Sequence, residues 1–258
     1  EKVPCGLSNS NTLHTKRYIV ATKSGHETNI GKDCGKNYFS VDFELMASKF
    51  DRDITEQENR ELLWNFSFQL EELEAKIAAL REGKSGADWV HKHSQALINP
   101  SPRMPIEVVR RMVAMVKTKS NVLYVQREAT GQEIEDQEII QRKKIERPYY
   151  FDEAIAEIQG IEALYVENDL RRLLVLNLEE NIKTFKAKNI DQMTYAELAK
   201  WKKWAVSVDL ILDTAGAAVA YGRELLTHEN LAPLLKTLEE GPERSLFRTY
   251  LDMIREGA

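Results

Sequence analysis

"TEQENRELLWNFSFQLEELEAKIAALRE", residues 55–82, is the stretch whose reading decides the fold class. Leu63, Phe66, Leu70, Leu73, Ile77 and Leu80 recur at alternating steps of three and four. That spacing lays them along one face of an α-helix and forms the a/d seam of a coiled coil. Thr55 and Glu58 have the Thr-x-x-Glu form of a capping box, which marks a helix start, and Gly83 with Gly86 marks the end. About two and a half heptads is short for a free-standing coiled coil, so the seam predicts an intramolecular helical hairpin.

The helical pattern extends in both directions. Upstream, "FSVDFELMASKF" places Phe39, Phe43, Met46 and Phe50 at helical spacings. Downstream, "NPSPRMP" (99–105) reads as a linker, and Pro105 sits at the start of a helix whose apolar face is Val109, Met112, Val113 and Val116. The segment from Ser120 to Ile140 predicts a short hairpin or a helix break, because Val122 to Val125 favour a strand and Thr130-Gly131 a turn. From Asp152 onward the chain reads as almost continuous helix. Thr194 and Glu197 open a long amphipathic helix with Leu198, Trp201, Ala205, Val208 and Leu212 as its buried stripe. The run Ala215-Gly216-Ala217-Ala218 predicts close helix packing. Gly241-Pro242 starts a last helix with Leu246, Phe247, Tyr250, Leu251 and Ile254 inward. The expected fold is mainly α: a small, zinc-stabilised module containing a β-hairpin (1–45), a helical hairpin or coiled-coil segment (46–100) and a C-terminal helical domain (101–258), with the main break near 99–105.

Composition bounds the function. With 43% hydrophobic and 30% charged residues in 258, the chain is an ordinary globular protein rather than a disordered one. A net charge of −5 argues against a surface that coats nucleic acid or anionic membrane over its whole extent. No basic stretch leads into an apolar one near the start, so the expected setting is cytoplasmic. The most membrane-like run, Trp204 to Gly222, is interrupted by Asp209 and Asp213 and reads as a core helix. Neither a phosphate-binding glycine loop, a Gly-x-Ser-x-Gly elbow nor a His-Glu-x-x-His pair occurs in the sequence.

The chain has two cysteines, and two of its five histidines lie between them. Cys5, His14, His26 and Cys34 form a Cys-x8-His-x11-His-x7-Cys set, which is a tetrahedral complement of nitrogen and sulfur for zinc. Tyr18 to Ala21 alternates before a Ser24-Gly25 turn, so a β-hairpin brings the two ends together, and Cys34 falls at the start of the helical run. The same cysteines could instead pair as a disulfide in an oxidising compartment, or form no site.

Loop, hairpin and helix start, with Ile30, Gly31, Cys34 and Gly35 as an I-G-x-x-C-G element, resemble a treble-clef zinc finger. The likeness spans about residues 3–45 and is to small zinc modules of uncharacterised phage and mobile-element proteins. It implies a structural zinc ion. Such modules usually open with Cys-x-x-Cys, whereas here Ser8 stands at the second position. Either His26 replaces that ligand, another residue does, or the site has decayed.

Other clusters read as structural. His91 and His93, near Asp88, point to different sides of a helix and read as an exposed pair beside a packed Trp89. Trp201 and Trp204 read as packing. Lys16, Arg17, Lys23, Lys32 and Lys36 decorate the N-terminal module, and Arg142, Lys143, Lys144 and Arg147 form a second basic run. The expected function is a non-enzymatic adaptor or inhibitor that binds a protein partner through helical surfaces. Nucleic-acid binding through the basic N-terminal module is the alternative, and an enzyme with no nameable residues comes third.

Overall fold

The computed structural model describes residues 2–7, 12–21, 23–39 and 41–257. In chain order the elements are β1 (Val3–Pro4), β2 (Leu13–His14), β3 (Tyr18–Ala21), β4 (Glu27–Ile30), α1 (Lys32–Phe39), α2 (Val41–Ser67), α3 (Leu70–Arg81), α4 (Ala87–Ile98) and α5 (Ile106–Thr118). Then follow β5 (Val122–Glu128), α6 (Gly131–Gln141), β6 (Tyr150–Glu157), a π-helical run (Arg171–Glu179) continuing into α7 (Glu180–Lys186), α8 (Tyr195–Leu225), α9 (His228–Leu231) and α10 (Pro242–Gly257). The fold is mainly α, with short antiparallel strand pairs. Internal packing divides the chain into two units, residues 1–68 with 188–205, and residues 69–187 with 206–258.

The first unit begins with two small strand pairs. β1 pairs with β2, Val3 opposite His14, and β3 pairs with β4, Tyr18 opposite Ile30. Gly25, at φ +82°, makes the turn of the second pair, a conformation that costs glycine little. β4 runs directly into α1. The core here is Cys5, Tyr18, Ile30, Phe43 and Ala47. The Tyr18 ring meets Phe43 edge-on at 5.8 Å, and its hydroxyl donates to Asp51 at 2.5 Å, which also pairs with Lys16 at 2.9 Å. Burial, with the Asp51 carboxylate beside it, pushes the Tyr18 hydroxyl up to about 12. α1 lies close against α2, because a Cβ on Gly35 would fall 2.0 Å from the Phe43 ring.

The helix start expected at Thr55 is corrected. α2 already begins at Val41, and the Thr55 hydroxyl donates to the carbonyl of Asp51 at 2.8 Å, one turn back. A Thr-x-x-Glu pattern inside a helix offers its hydroxyl to the i−4 carbonyl once the preceding residues are themselves helical. Nor is 55–82 one helix: it breaks between Ser67 and Leu70. The seam itself is buried at Leu63, Leu70, Leu73 and Ile77. Residues 188–205 complete the first unit. Arg60 donates to the carbonyl of Ile190, the Trp64 indole N–H donates to Asp191 at 3.1 Å, and the Phe66 and Trp204 rings meet edge-on at 5.3 Å. The Thr194–Glu197 box caps α8 as expected, with Glu197 N–H donating to the Thr194 hydroxyl at 3.3 Å and Thr194 N–H to the Glu197 carboxylate at 3.1 Å.

In the second unit α3 turns into α4 through Gly83, at φ +99°, and Gly86. Arg81 holds this turn, donating to Asp88 at 2.9 Å and to Glu179 at 2.5 Å. α5 buries Val108, Val109, Met112 and Met115. β5 pairs antiparallel with β6, from Val122 opposite Glu157 to Glu128 opposite Tyr150, with a bulge at Leu123/Tyr124. α6, closed by a Thr130–Glu133 capping box, lies between these strands in the chain. This corrects the helix expected from Asp152 onward. Asp152, Glu153, Ala154 and Glu157 are poor strand formers, and the ladder with β5 overrides them.

α8 is long and apolar enough to cross a membrane by length and composition, and 33% of its most apolar window is buried. Leu198, Trp201, Ala205 and Val208 form the expected inward stripe, Leu212 is half-buried, and Val206 and Leu210 are exposed. In the small-residue run Ala215 and Ala218 are fully buried, while a Cβ on Gly216 would meet nothing within 4 Å; a further close approach lies at Gly222, where a Cβ would fall 2.0 Å from Val90 of α4. α10 buries Phe247, Tyr250, Leu251 and Ile254.

His93 is buried, not exposed as expected, with its ring 4.9 Å from Trp89 and 6.3 Å from Tyr250, whose hydroxyl donates to the His93 carbonyl. Burial, and then the charge of Lys92, hold its imidazole below the ordinary value of 6.5. The unfolded chain therefore binds the proton more readily, so stability is full above about pH 6.5 and falls as pH drops through the window below it. Thermal unfolding between about pH 7 and about pH 5 should show a steeper loss for the wild type than for His93→Phe. Equal slopes would contradict this account.

Candidate metal centre

Three segments bring their donors together in the first unit. Cys5 follows β1, His14 ends β2, and Cys34 lies in the first turns of α1. One donor atom from each lies within 4.8 Å of the other two, and Cys34 Sγ is 3.3 Å from His14 Nε2. The two cysteines are not joined as a disulfide in this structure.

The backbone explains the convergence. The Cys5 N–H donates to the carbonyl of Thr12 at 2.8 Å, and the next N–H, of Gly6, donates to the Asn29 carbonyl at 2.9 Å and to its side-chain oxygen at 3.0 Å. These bonds tie the loop after β1 to both strand pairs. Gly31 then leaves the space that the imidazole fills, for a Cβ there would lie 2.1 Å from His14 Nδ1. Gly31 belongs to the I-G-x-x-C-G element read from sequence, but its role as the seat of the His14 ring is visible only once the chain is folded.

The sulfur atoms differ electrostatically. Burial pushes the Cys5 thiol up, but the backbone N–H of Leu7, the His14 and Cys34 side chains and the Gly31 N–H all hydrogen-bond its sulfur and bring it down to about 7. The Cys34 thiol is raised, first by burial and then by the Cys5 sulfur and the Asp33 carboxylate beside it. A buried thiolate next to a second thiol favours a cation over a second bare negative charge.

Of the four residues expected to bind metal, the fold joins Cys5, His14 and Cys34; these lie close enough to hold a metal ion. His26 is exposed ahead of β4 and is not part of the cluster. Ser8 lies outside the described residues.

The basic residues separate into two kinds. In the N-terminal module Lys16 pairs with Asp51, Lys36 with Glu44 at 2.8 Å, and Lys32 donates to the Ser48 hydroxyl at 3.0 Å. Arg17 and Lys23 are exposed. Arg142, Lys143, Lys144 and Arg147 are exposed on the connection between α6 and β6. His91 is half-buried with Nδ1 3.9 Å from Asp169, on another side of α4 from His93. Trp201 and Trp204 meet edge-on at 5.4 Å, which is packing.

No family model, curated protein or solved structure matches the chain.

Gly31→Ala should displace the His14 ring while leaving both thiols in place. Cobalt(II) titration against a chromophoric chelator should then show affinity about 10–100-fold weaker than for the wild type, the usual effect of disturbing a ligand's support. Unchanged affinity would mean that His14 is not a donor.

Proposed function

We propose that this chain is a non-enzymatic binding protein whose N-terminal module is clamped by a structural zinc ion and whose helical surfaces engage a protein partner. The observation that carries the metal part is the convergence of Cys5, His14 and Cys34. Two sulfurs and an imidazole suit zinc, a borderline-soft ion, and do not suit magnesium or calcium, which take oxygen. When bound, the ion would supply charge neutralisation and a cross-link between β1, β2 and α1. The protein residues do the rest: Leu7 and Gly31 orient the Cys5 sulfur, and the Gly31 gap positions the ring.

The partner part is supported by the helices behind the module. Tyr38, Phe39, Val41, Leu45, Met46 and Phe50 of α1 and α2 are all close to half exposed or more. That is a larger set of large apolar side chains than scattered surface residues need. The resemblance to phage and mobile-element zinc modules extends the proposal to a host-interaction role.

Metal analysis of protein purified without added zinc should give about one zinc per chain. A content below about 0.2, with circular dichroism and thermal stability unaffected by chelation, would end the metal reading. Cys34→Ser should expose residues 1–40 to rapid amide exchange while α3 to α10 stay protected; loss of protection throughout would contradict a local clamp. For the partner, affinity capture with wild type and with Leu45→Asp/Phe50→Asp should differ by the loss of one protein, and identical captures would count against this face.

A further inference from the structure

We infer that residues 139–150, from the last turn of α6 through the connection to the first residue of β6, dock the protein onto an anionic lipid surface. This rests on neither the metal site nor the α1–α2 face. In this part of the chain Arg127 is held on both sides, by Glu133 at 2.5 Å and by Glu153 at 3.0 Å. By contrast Arg142, Lys143, Lys144 and Arg147 are all exposed, and among the described residues none of them forms an ion pair. Residues 138–147 carry these four cations against two carboxylates, Glu138 and Glu146. The Glu138 carboxylate accepts the N–H of Ile145 at 3.0 Å, which folds the connection back over the last turn of α6, and Glu146 is exposed among the cations.

Immediately before the cations stand Ile139 and Ile140, 74% and 71% exposed, and Tyr150 follows at 53%. α6 buries only Ile134, so the packing of this segment gives no reason for two aliphatic side chains in water. Four cations alone would fit any polyanion. Adjacent aliphatics choose among polyanions, because single-stranded nucleic acid is gripped by aromatic rings that stack on bases and by polar groups. A bilayer interface instead takes aliphatics into its acyl boundary, tyrosine at headgroup level and lysine or arginine on the lipid phosphates.

The test is co-sedimentation of the full chain with phosphatidylcholine vesicles, with and without about 30% phosphatidylserine. Binding should require phosphatidylserine and weaken with salt. Arg142→Gln/Lys143→Gln/Lys144→Gln should lower it about tenfold or more, and so should Ile139→Asp/Ile140→Asp. Ile139→Trp should gain a blue shift in emission on addition of the anionic vesicles. A labelled oligonucleotide run in parallel separates the competing partner. Nucleic-acid binding lost in the glutamine variant but kept in the aspartate variant, with no vesicle binding, would overturn the proposal. So would vesicle binding that neither variant changes, or an Ile139→Trp spectrum that does not move.

Discussion

The Cys5 sulfur, the His14 ring and the Cys34 sulfur meet in the amino-terminal part of the molecule, where they bring the loop after β1, the end of β2 and α1 to one place. Among the described residues up to Phe39, the buried apolar side chains are Cys5, Tyr18 and Ile30. A segment that short gains little from removing apolar surface from water, and ordering each residue costs roughly 1–2 kcal/mol. What arranges it is polar: N–H groups aimed at carbonyls and at sulfur, and a tyrosine hydroxyl seated on Asp51. Phe43 and Ala47 of α2 supply the remaining apolar contact, so the little module leans on the helix that follows it.

Periodicity made the helices legible, because a 3.6-residue repeat survives any detail of packing. The stripes of α8 and α10 and the Thr194 cap lie where their spacing puts them. Local signals misled wherever a longer-range partner outweighed them. Thr55 looks like a cap only if the residues before it are not helical, and β6 looks helical only if β5 is left out. His93 reads as a surface histidine until Tyr250, far along the chain, is brought over it. In the candidate site the two cysteines and His14 were legible from residue type. The exclusion of His26 was not, since it follows from the Ser24-Gly25 turn holding that residue at the exposed end of the hairpin. Nor did spacing reveal that a missing Cβ at Gly31 is what admits the ring.

The two basic segments show why composition is a poor guide to surface electrostatics. Around the N-terminal module, Asp51 and Glu44 on α2 take up Lys16 and Lys36, while Arg17 and Lys23 stay exposed. On the α6–β6 connection Arg142, Lys143, Lys144 and Arg147 are exposed, and among the described residues no carboxylate is paired with them. How many of a segment's lysines and arginines are paired is thus decided by which acidic groups the fold delivers to them.

The first unit is not one continuous stretch: it closes only when residues 188–205 arrive to meet Arg60, Trp64 and Phe66. A ribosome releases that strip more than a hundred residues after α2 has emerged. Until then the Trp64 indole lacks Asp191 and the Phe66 ring lacks Trp204. Synthesis order, and not only the finished contacts, therefore sets when this half of the protein becomes complete, and a gene fragment cut at the end of α2 would encode something permanently in that waiting state.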